Sequence, residues 1–546
     1  MTATAVTAAP LAGTAVRAVG DTVPVRVAVS RLRALGCAVE RVDGAPPATA
    51  SAGRIDLLGT GGATSGCDVA WSTPDVPLTD ERDVQAACGL AHLHGRARGG
   101  PRFLPVDYAS VCAGVLTAQA VTAAALVLER GGPALRGSVS VAGAALLAVA
   151  PYVAEATATR GRAFLPETGE PPPFRSADGI RFEIETLDPE SWLRFWRTLD
   201  APRDAIATGW APFQRRFATA MCPLPAALFA TLASLPFEVV RDTARECGVG
   251  AVPLRPMAEV TDDGSASTWR PHAVDVPPAP ALPAWSPTGP LAGLRVVEAT
   301  NRVQGPLAGL LLTLLGADTV RVEPPGGDPM RGVPPLAGGL SARFAAFNRG
   351  KDAAECDLKS AGGRRAAVDL AVDGHVLLYN WPPGRAERFG LGAEDLAARA
   401  PGLVRVHADG WAGGEPDPGT PATDFLVQAH GGIADLLSDG ADPAPSLVTL
   451  TDVLGGMIAA EAALAGLLTR ARAGVGASAR TSLVDAARLL RLAGRGTAHR
   501  PRAGTPPVAD PVSVAEAFPA AFTTVHGVAL PRAPWTFTTL EGEGAR

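Results

Sequence analysis

The chain has 546 residues, with 49 Lys and Arg against 54 Asp and Glu, a formal net charge of −5. Hydrophobic residues make up 47% and charged residues 19%, a globular balance long enough for roughly two to four domains. The sequence shows no unbroken apolar run of about 18 residues and no dense basic patch, so neither a membrane protein nor a nucleic-acid binder is expected. Met1 to Pro10 lacks the basic and apolar regions of a secretory signal. None of the seven cysteines has CxxC spacing, so a cytosolic protein with reduced, buried thiols is expected.

In chain order, RLRALGCAVERVDG (Arg31 to Gly44) reads as helix, Leu-Gly turn and strand. The stretch from Gly44 to Glu81 has room for one or two strands. VQAACGL (Val84 to Leu90) precedes VDYASVCAGVLTAQAVTAAALVLER (Val106 to Arg130), a long Ala-rich helix. Ile180 to Val260 reads as a compact α/β stretch. VPPAPALPAWSPTGP (Val276 to Pro290) is a proline-rich connector that cannot be helical. Beyond it, LRVVEAT (Leu294 to Thr300), the turn NRVQGPLAG, a helix through Leu310 to Leu315 and DTVRVEPP form a βαβ unit, which predicts a parallel sheet covered by helices. Its Gly305-Pro306 pair is not a GxGxxG fingerprint, so a nicotinamide cofactor has no support. VQAHGGI (Val427 to Ile433) and TDVLGGMIAAEAALAGLLTRAR (Thr451 to Arg472) follow, and His499 to Pro511 reads as a loose loop.

The same order of elements occurs on both sides of the connector. The helix and strand at Arg31 to Gly44 answer Leu310 to Gly326, VQAACGL answers VQAHGGI, and the long helix after Val106 answers the one after Thr451. An acidic residue lies three places before each Val-Gln, Glu81 and Asp424, and another opens each long helix, Asp107 and Asp452. The expected layout is a shortened first copy over 1–275 with a small domain near 180–260, a linker over 276–290, and a second copy over 291–546.

The ordered segments PLAGLRVVEAT, GPLAGLLLTLLGADTVRVEPPGGDPMR, FNRGKDAAECDLKS, NWPPGRAERFGLG, DFLVQAHGGI, TDVLGGMIAAEAALAGLL and ASARTSLVDAARLL make the second copy resemble the family III CoA-transferases across Pro290 to Leu490. The resemblance implies an interlocked fold, with a Rossmann-like domain for CoA and two incomplete copies supplying one set of parts. It implies acyl-CoA and carboxylic acids as partners, CoA as substrate, no metal, and a homodimer or a self-contained pseudo-dimer. It places the nucleophile at Asp452, which would form an acyl-aspartyl anhydride, its charge favoured by the helix dipole. Asp107 is the rival nucleophile or a second site. Asp424 and Glu81 match a position that is an acid/base in the related α-methylacyl-CoA racemases. CoA contacts would fall on Val303, Gln304, Pro324, Leu358, Asn380, Trp381, Arg388 and Phe389. NWPPG replaces the usual NFRPG, and Arg331, Arg349 and Lys351 stand near enough in sequence to replace the lost arginine.

A racemase, or a repurposed fold without transferase activity, are the alternatives; the histidines open to the former are His375 and His407. His92 and His94 have the spacing of two metal ligands on one strand face but lack a third. His430 follows the Gln428 turn. No GxSxG, HExxH or GxxxxGK[ST] occurs, so serine hydrolysis, zinc proteolysis and ATP use have no local signal.

Overall fold

A computed structural model describes residues 9–42, 50–59, 62–159, 169–261, 268–271, 278–438, 440 and 442–540. The chain start read above, through residue 8, and the head of the connector, 276–277, lie outside the described residues.

In the second half, strand Arg295–Ala299 leads into helix Gln304–Leu314 and strand Asp318–Glu323. Six strands of this half are parallel. In space they run Asp352–Glu355, Asp318–Glu323, Arg295–Ala299, Val376–Tyr379, Val404–Asp409 and Ala477–Ser482. Numbered along the chain, that order is 3-2-1-4-5-6, the doubly wound Rossmann arrangement. The order reverses between Arg295–Ala299 and Val376–Tyr379, so a ligand crevice is expected beyond the carboxyl ends of these two strands. A seventh, antiparallel strand, Thr268–Pro271, comes from the first half.

The first half builds a mixed sheet. Ala38–Val42 and Ala15–Val19 pair in parallel around helix Val23–Ala34, as the second half does at its start. The antiparallel pair Ser51–Gly59 and Gly62–Ala70 follows, then Leu135–Ser140. The far edge is strand Trp535–Thr539, from the other end of the chain. Each half therefore supplies an edge strand to the other's sheet.

Helices Tyr108–Glu129 and Leu450–Ala473 pack against each other at the centre. Both are apolar on all faces, as a helix enclosed on all sides must be. These two and Val141–Ala158 are long and apolar enough to cross a membrane by composition, and most of each is buried inside the molecule. A Cβ on Gly456 would lie 2.6 Å from the Gln304 carbonyl oxygen, and one on Gly114 would lie 2.7 Å from that of Pro24. Glycine at these two positions lets the shorter helix of each half sit directly on the long one.

Strands Phe174–Arg175, Arg181–Glu185 and Gly250–Pro253 form a separate small sheet covered by helices such as Pro189–Thr198 and Phe237–Cys247. Its core is aromatic, with Trp192 4.6 Å from Phe213 and 5.3 Å from Trp196 between ring centroids. This unit rests on helix Asp424–His430 of the second half. The Arg216 guanidinium stands over the Phe425 ring at 4.5 Å, and Arg255 N–H donates to the Ala429 carbonyl at 3.0 Å.

Candidate active site

The two halves carry one hydrogen-bond pattern at the start of their long helices. In the second, the buried Asp424 carboxylate accepts the backbone N–H groups of Thr451 (2.7 Å) and Asp452 (3.0 Å), the Thr451 hydroxyl, and the Gln428 amide (2.7 Å). Gln428 also donates to the Ser446 carbonyl and accepts from the Ser446 N–H. In the first, Glu81 accepts from Ala109 N–H (3.0 Å), Ser110 N–H (2.8 Å), the Ser110 hydroxyl (2.6 Å) and the Gln85 amide (3.1 Å). Gln85 is tied to Leu104 and Val106 in the same manner.

This pattern fixes a register that differs from the one read in the sequence. Tyr108 N–H donates to the Val106 carbonyl as Leu450 N–H donates to that of Val448, both at 2.8 Å. Tyr108 thus matches Leu450, Ser110 matches Asp452, and Gly114 matches Gly456. Asp107 matches Thr449, the residue that precedes its helix with nearly the same backbone angles. The first half therefore holds a serine where the second holds Asp452. The alignment of Asp107 with Asp452 arose because both acids stand at the start of a long helix, and it is displaced by three residues from the register that the hydrogen bonds fix.

Asp424 satisfies the orphan amides of the helix start from a neighbouring helix. Asp452 caps nothing, and its carboxylate accepts no hydrogen bond among the described residues. The expectation that the helix terminus favours its charge is reversed: burial, and then the charge of Asp424, push the Asp452 carboxyl well above the ordinary range, with Arg302 opposing. Asp424 itself is pushed up to about 6 by burial, against the hydrogen bonds it accepts.

A small cavity lies beyond the carboxyl ends of the first two Rossmann strands. Arg302, Val303 and Pro306 line it from the turn and helix after the first strand, and Thr449, the residue that precedes the helix carrying Asp452, lines it as well. Arg343, Phe344 and Phe347 form another wall, and Pro151 and Phe217 come from the first half. The Arg343 guanidinium pairs with Glu155 across the boundary between halves. Neither these cross-half contributions nor Arg302 and Arg343 were legible as site residues, since no local motif records which distant helices meet.

The other expected CoA contacts fall in two groups. Val303 lines the cavity, but the Gln304 amide turns away to the Asp409 carbonyl at 3.1 Å. Asn380 sits at the point where strand order reverses and bridges both backbone groups of Asn301, accepting from its N–H at 3.1 Å and donating to its carbonyl at 2.9 Å. Leu358, Trp381 and Phe389 pack together around one apolar cluster, with Trp381 edge-on to Phe389 at 5.1 Å. Pro324 and Arg388 are exposed at the same end of the sheet. His407 stacks on Tyr379 at 4.7 Å, and its Nε2 lies 2.8 Å from the Trp381 carbonyl, which makes Nε2–H the donor.

Arg331, Arg349 and Lys351 are not available in place of the lost motif arginine. Arg331 pairs with Glu323 at 2.8 Å, Arg349 donates to the Pro531 carbonyl, and Lys351 is enclosed against Glu298 at 2.8 Å. His92 and His94 lie on the short helix Leu90–Gly95 rather than a strand, and His94 meets the Ser446 hydroxyl at 2.9 Å. His430 packs edge-on to Trp411. Among the described residues no group of three His, Cys, Asp or Glu could hold a metal.

The family model for CoA-transferase family III matches residues 77–271 and 291–521. The chain belongs to this family. It is similar to a probable fatty acyl-CoA transferase of Mycobacterium tuberculosis, 34% identical over 211 residues that cover 38% of this chain and 53% of the relative. It is also similar to an acetyl-CoA:oxalate CoA-transferase of Acetobacter aceti, 35% identical over 202 residues, 36% of this chain and 52% of the relative. A crystal structure of a CAIB/BAIF family protein from Brucella suis aligns at a TM-score of 0.34 and 32% identity, covering 37% of this chain and 55% of that one. The chain spans about half the length of the curated relatives it matches.

Proposed function

We propose that this member of the family transfers CoA between two carboxylic acids, with Asp452 as nucleophile. The observation that carries this reading is the division of labour between two adjoining carboxylates. Asp424 takes the helix amides, and Asp452 accepts no hydrogen bond among the described residues; the residue before its helix, Thr449, lines the cavity beyond the Rossmann strands. Ionised Asp452 attacks the thioester carbonyl of an acyl-CoA; a C–O bond forms, the C–S bond breaks, and the thiolate leaves with the electron pair. Return of the thiolate to the acyl carbon merely reverses the step. Net exchange requires it to take the aspartyl carbonyl carbon, which expels the donor acid as a carboxylate and leaves Asp452 as a thioester. The acceptor carboxylate attacks that carbonyl and releases the thiolate, which then closes on the acceptor's acyl carbon and frees Asp452.

The racemase reading gains no comparable support, because the Asp424 carboxylate is held by four donors and is 3% exposed. A positioning role fits it better than proton transfer. We further propose a self-contained pseudo-dimer in the cytosol: the small unit of the first half rests on the Asp424 helix of the second, and all seven cysteines are free and buried.

The test is incubation with acetyl-CoA and hydroxylamine, followed by peptide mass mapping. A hydroxamate on Asp452 is expected. Acetyl-CoA turnover with oxalate, the acceptor named for the Acetobacter relative, without any modification of Asp452 sinks the nucleophile assignment.

A further inference from the structure

The cavity at the start of the helix that carries Asp452 is lined by a cation with no ion-pair partner among the described residues. Every other arginine described around it is committed: Arg343 to Glu155, Arg321 to Glu298, Glu323 and Asp328, and Arg331 to Glu323. Asp328 also lines the cavity, but its Oδ2 lies 2.7 Å from Arg321. Arg302 lines the cavity, is exposed, and has no carboxylate partner among the described residues.

Its backbone is held in an uncommon state. Arg302 has φ +68°, in the left-handed region that a side chain of its size seldom occupies. The preceding residue, Asn301, is clamped on both backbone groups by Asn380, so neighbouring structure supports the strained turn. The turn places Arg302 between the end of the first Rossmann strand and the helix that packs on Gly456. Much of the remaining wall is apolar, from Phe217, Met330, Phe344 and Phe347, so a carboxylate entering the cavity meets few competing cations.

We propose that Arg302 binds the carboxylate of the departing and arriving acids beside Asp452, and so selects carboxylate acceptors. This rests on the transfer reading above and adds the residue that recognises the acid. The charge balance of the cycle supports it. In the free enzyme the field of Arg302 acts on ionised Asp452. Once Asp452 is a thioester it is neutral, and the same guanidinium faces the incoming carboxylate, whose oxygen attacks the aspartyl carbonyl as the thiolate leaves. One anion thus faces Arg302 at each stage. A planar guanidinium suits the task, because its paired N–H groups match both oxygens of a carboxylate.

The test compares wild type, R302Q and R302K in two assays. Exchange of labelled CoA into acetyl-CoA needs no acid and reports acylation of Asp452 alone; it is read at pH values where each protein has reached its plateau. Full transfer to oxalate reports acid recognition. R302Q is expected to raise the KM for oxalate about 10-fold to 100-fold, the range for losing charge-assisted hydrogen bonds, and by more than the factor by which its plateau exchange falls, with R302K in between. Intact exchange with an unchanged KM in R302Q overturns the proposal. Absence of exchange in wild type sinks the transfer reading instead. In that case calorimetric titration with oxalate decides the assignment separately: binding by wild type that R302Q loses upholds it, and equal binding, or none, overturns it.

Discussion

The backbone N–H of Asp452 donates to the carboxylate of Asp424 at 3.0 Å, while the carboxylate of Asp452 accepts no hydrogen bond among the described residues. A helix start offers several unpaired amides, and an aspartate there would ordinarily use them itself. Here a carboxylate from another helix has taken them, and Asp452 remains a half-buried acid without a donor among the described residues. The first half repeats the arrangement with Glu81, but with Ser110 at the position of Asp452, so only one of the two equivalent frames carries a carboxylate there.

Replacement of Asp452 by Asn is therefore expected to lower transfer by roughly 10³-fold or more, with CoA affinity by calorimetry largely kept. Ser110→Ala loses one hydrogen bond to Glu81 and is expected to cost about 1 kcal/mol of stability without loss of transfer. Asp107→Asn also leaves transfer in place. Loss of activity in Asp107→Asn with activity retained in Asp452→Asn would reverse the assignment of the two halves.

Asp452 also predicts opposite trends of activity and stability with pH. Its folded pKa is raised above the unfolded value, so from about pH 4 upward the native state holds a proton that the unfolded chain has released. Stability therefore falls as pH rises through that window, while activity rises because attack needs the ionised form. At pH 8 Asp452→Asn should melt higher than wild type, and near pH 4 the two should coincide. Asp424→Gln or Asn removes a negative neighbour and should move the acid limb of CoA exchange to lower pH; Arg302→Gln should move it higher. An Asp452→Asn melting curve parallel to wild type from pH 4 to 8 would show that the side chain titrates normally.

Much of this was legible in the sequence, and the gaps have physical causes. The βαβ unit at Leu294 to Glu323 and the acids Asp424 and Asp452 announce themselves through local apolar runs and helix-start residues. The register of Asp107 was not legible, because an Ala-rich helix buried on every face has no polar stripe to mark its phase. Arg302 was missed because a left-handed φ at a non-glycine residue leaves no compositional trace. Pro151 and Phe217 reach the cavity through packing of the two halves, and the exchange of edge strands Thr268–Pro271 and Trp535–Thr539 depends on chain paths that short-range patterns do not encode.

The aromatic wall makes a separate prediction. Leu358, Trp381 and Phe389 form one apolar surface at the crevice end of the sheet, where an adenine can stack. A stacked base is worth roughly 1–3 kcal/mol, so Trp381→Ala should weaken CoA binding about tenfold. Inhibition by pantetheine, which lacks the adenine, should be unaffected. Equal losses for both ligands would place Trp381 against the thiol-bearing arm instead.

Arg130 provides the last prediction. Proline has no N–H, so a proline-rich connector has few donors of its own, and most of its carbonyls need donors from elsewhere. Arg130 supplies them: its guanidinium, 6% exposed, donates to the carbonyls of Pro283 (2.9 Å), Pro290 (2.8 Å), Ala284 (3.4 Å) and Ala292 (2.6 Å). Trp285 N–H returns a bond to the Arg130 carbonyl at 3.1 Å, and its indole ring covers Gly132. One side chain at the end of the first long helix thus ties the linker down, and a lysine could not reach four carbonyls with three donors. Hydrogen bonds from a charged group are worth about 1.5–3 kcal/mol, so Arg130→Ala should destabilise the chain by about 2–3 kcal/mol in urea. Arg130→Lys should recover only part of that. Limited proteolysis under native conditions should cut Arg130→Ala between residues 278 and 290 well before either half is degraded. Cleavage spread evenly over the chain would mean that Arg130 supports the whole fold rather than the connector.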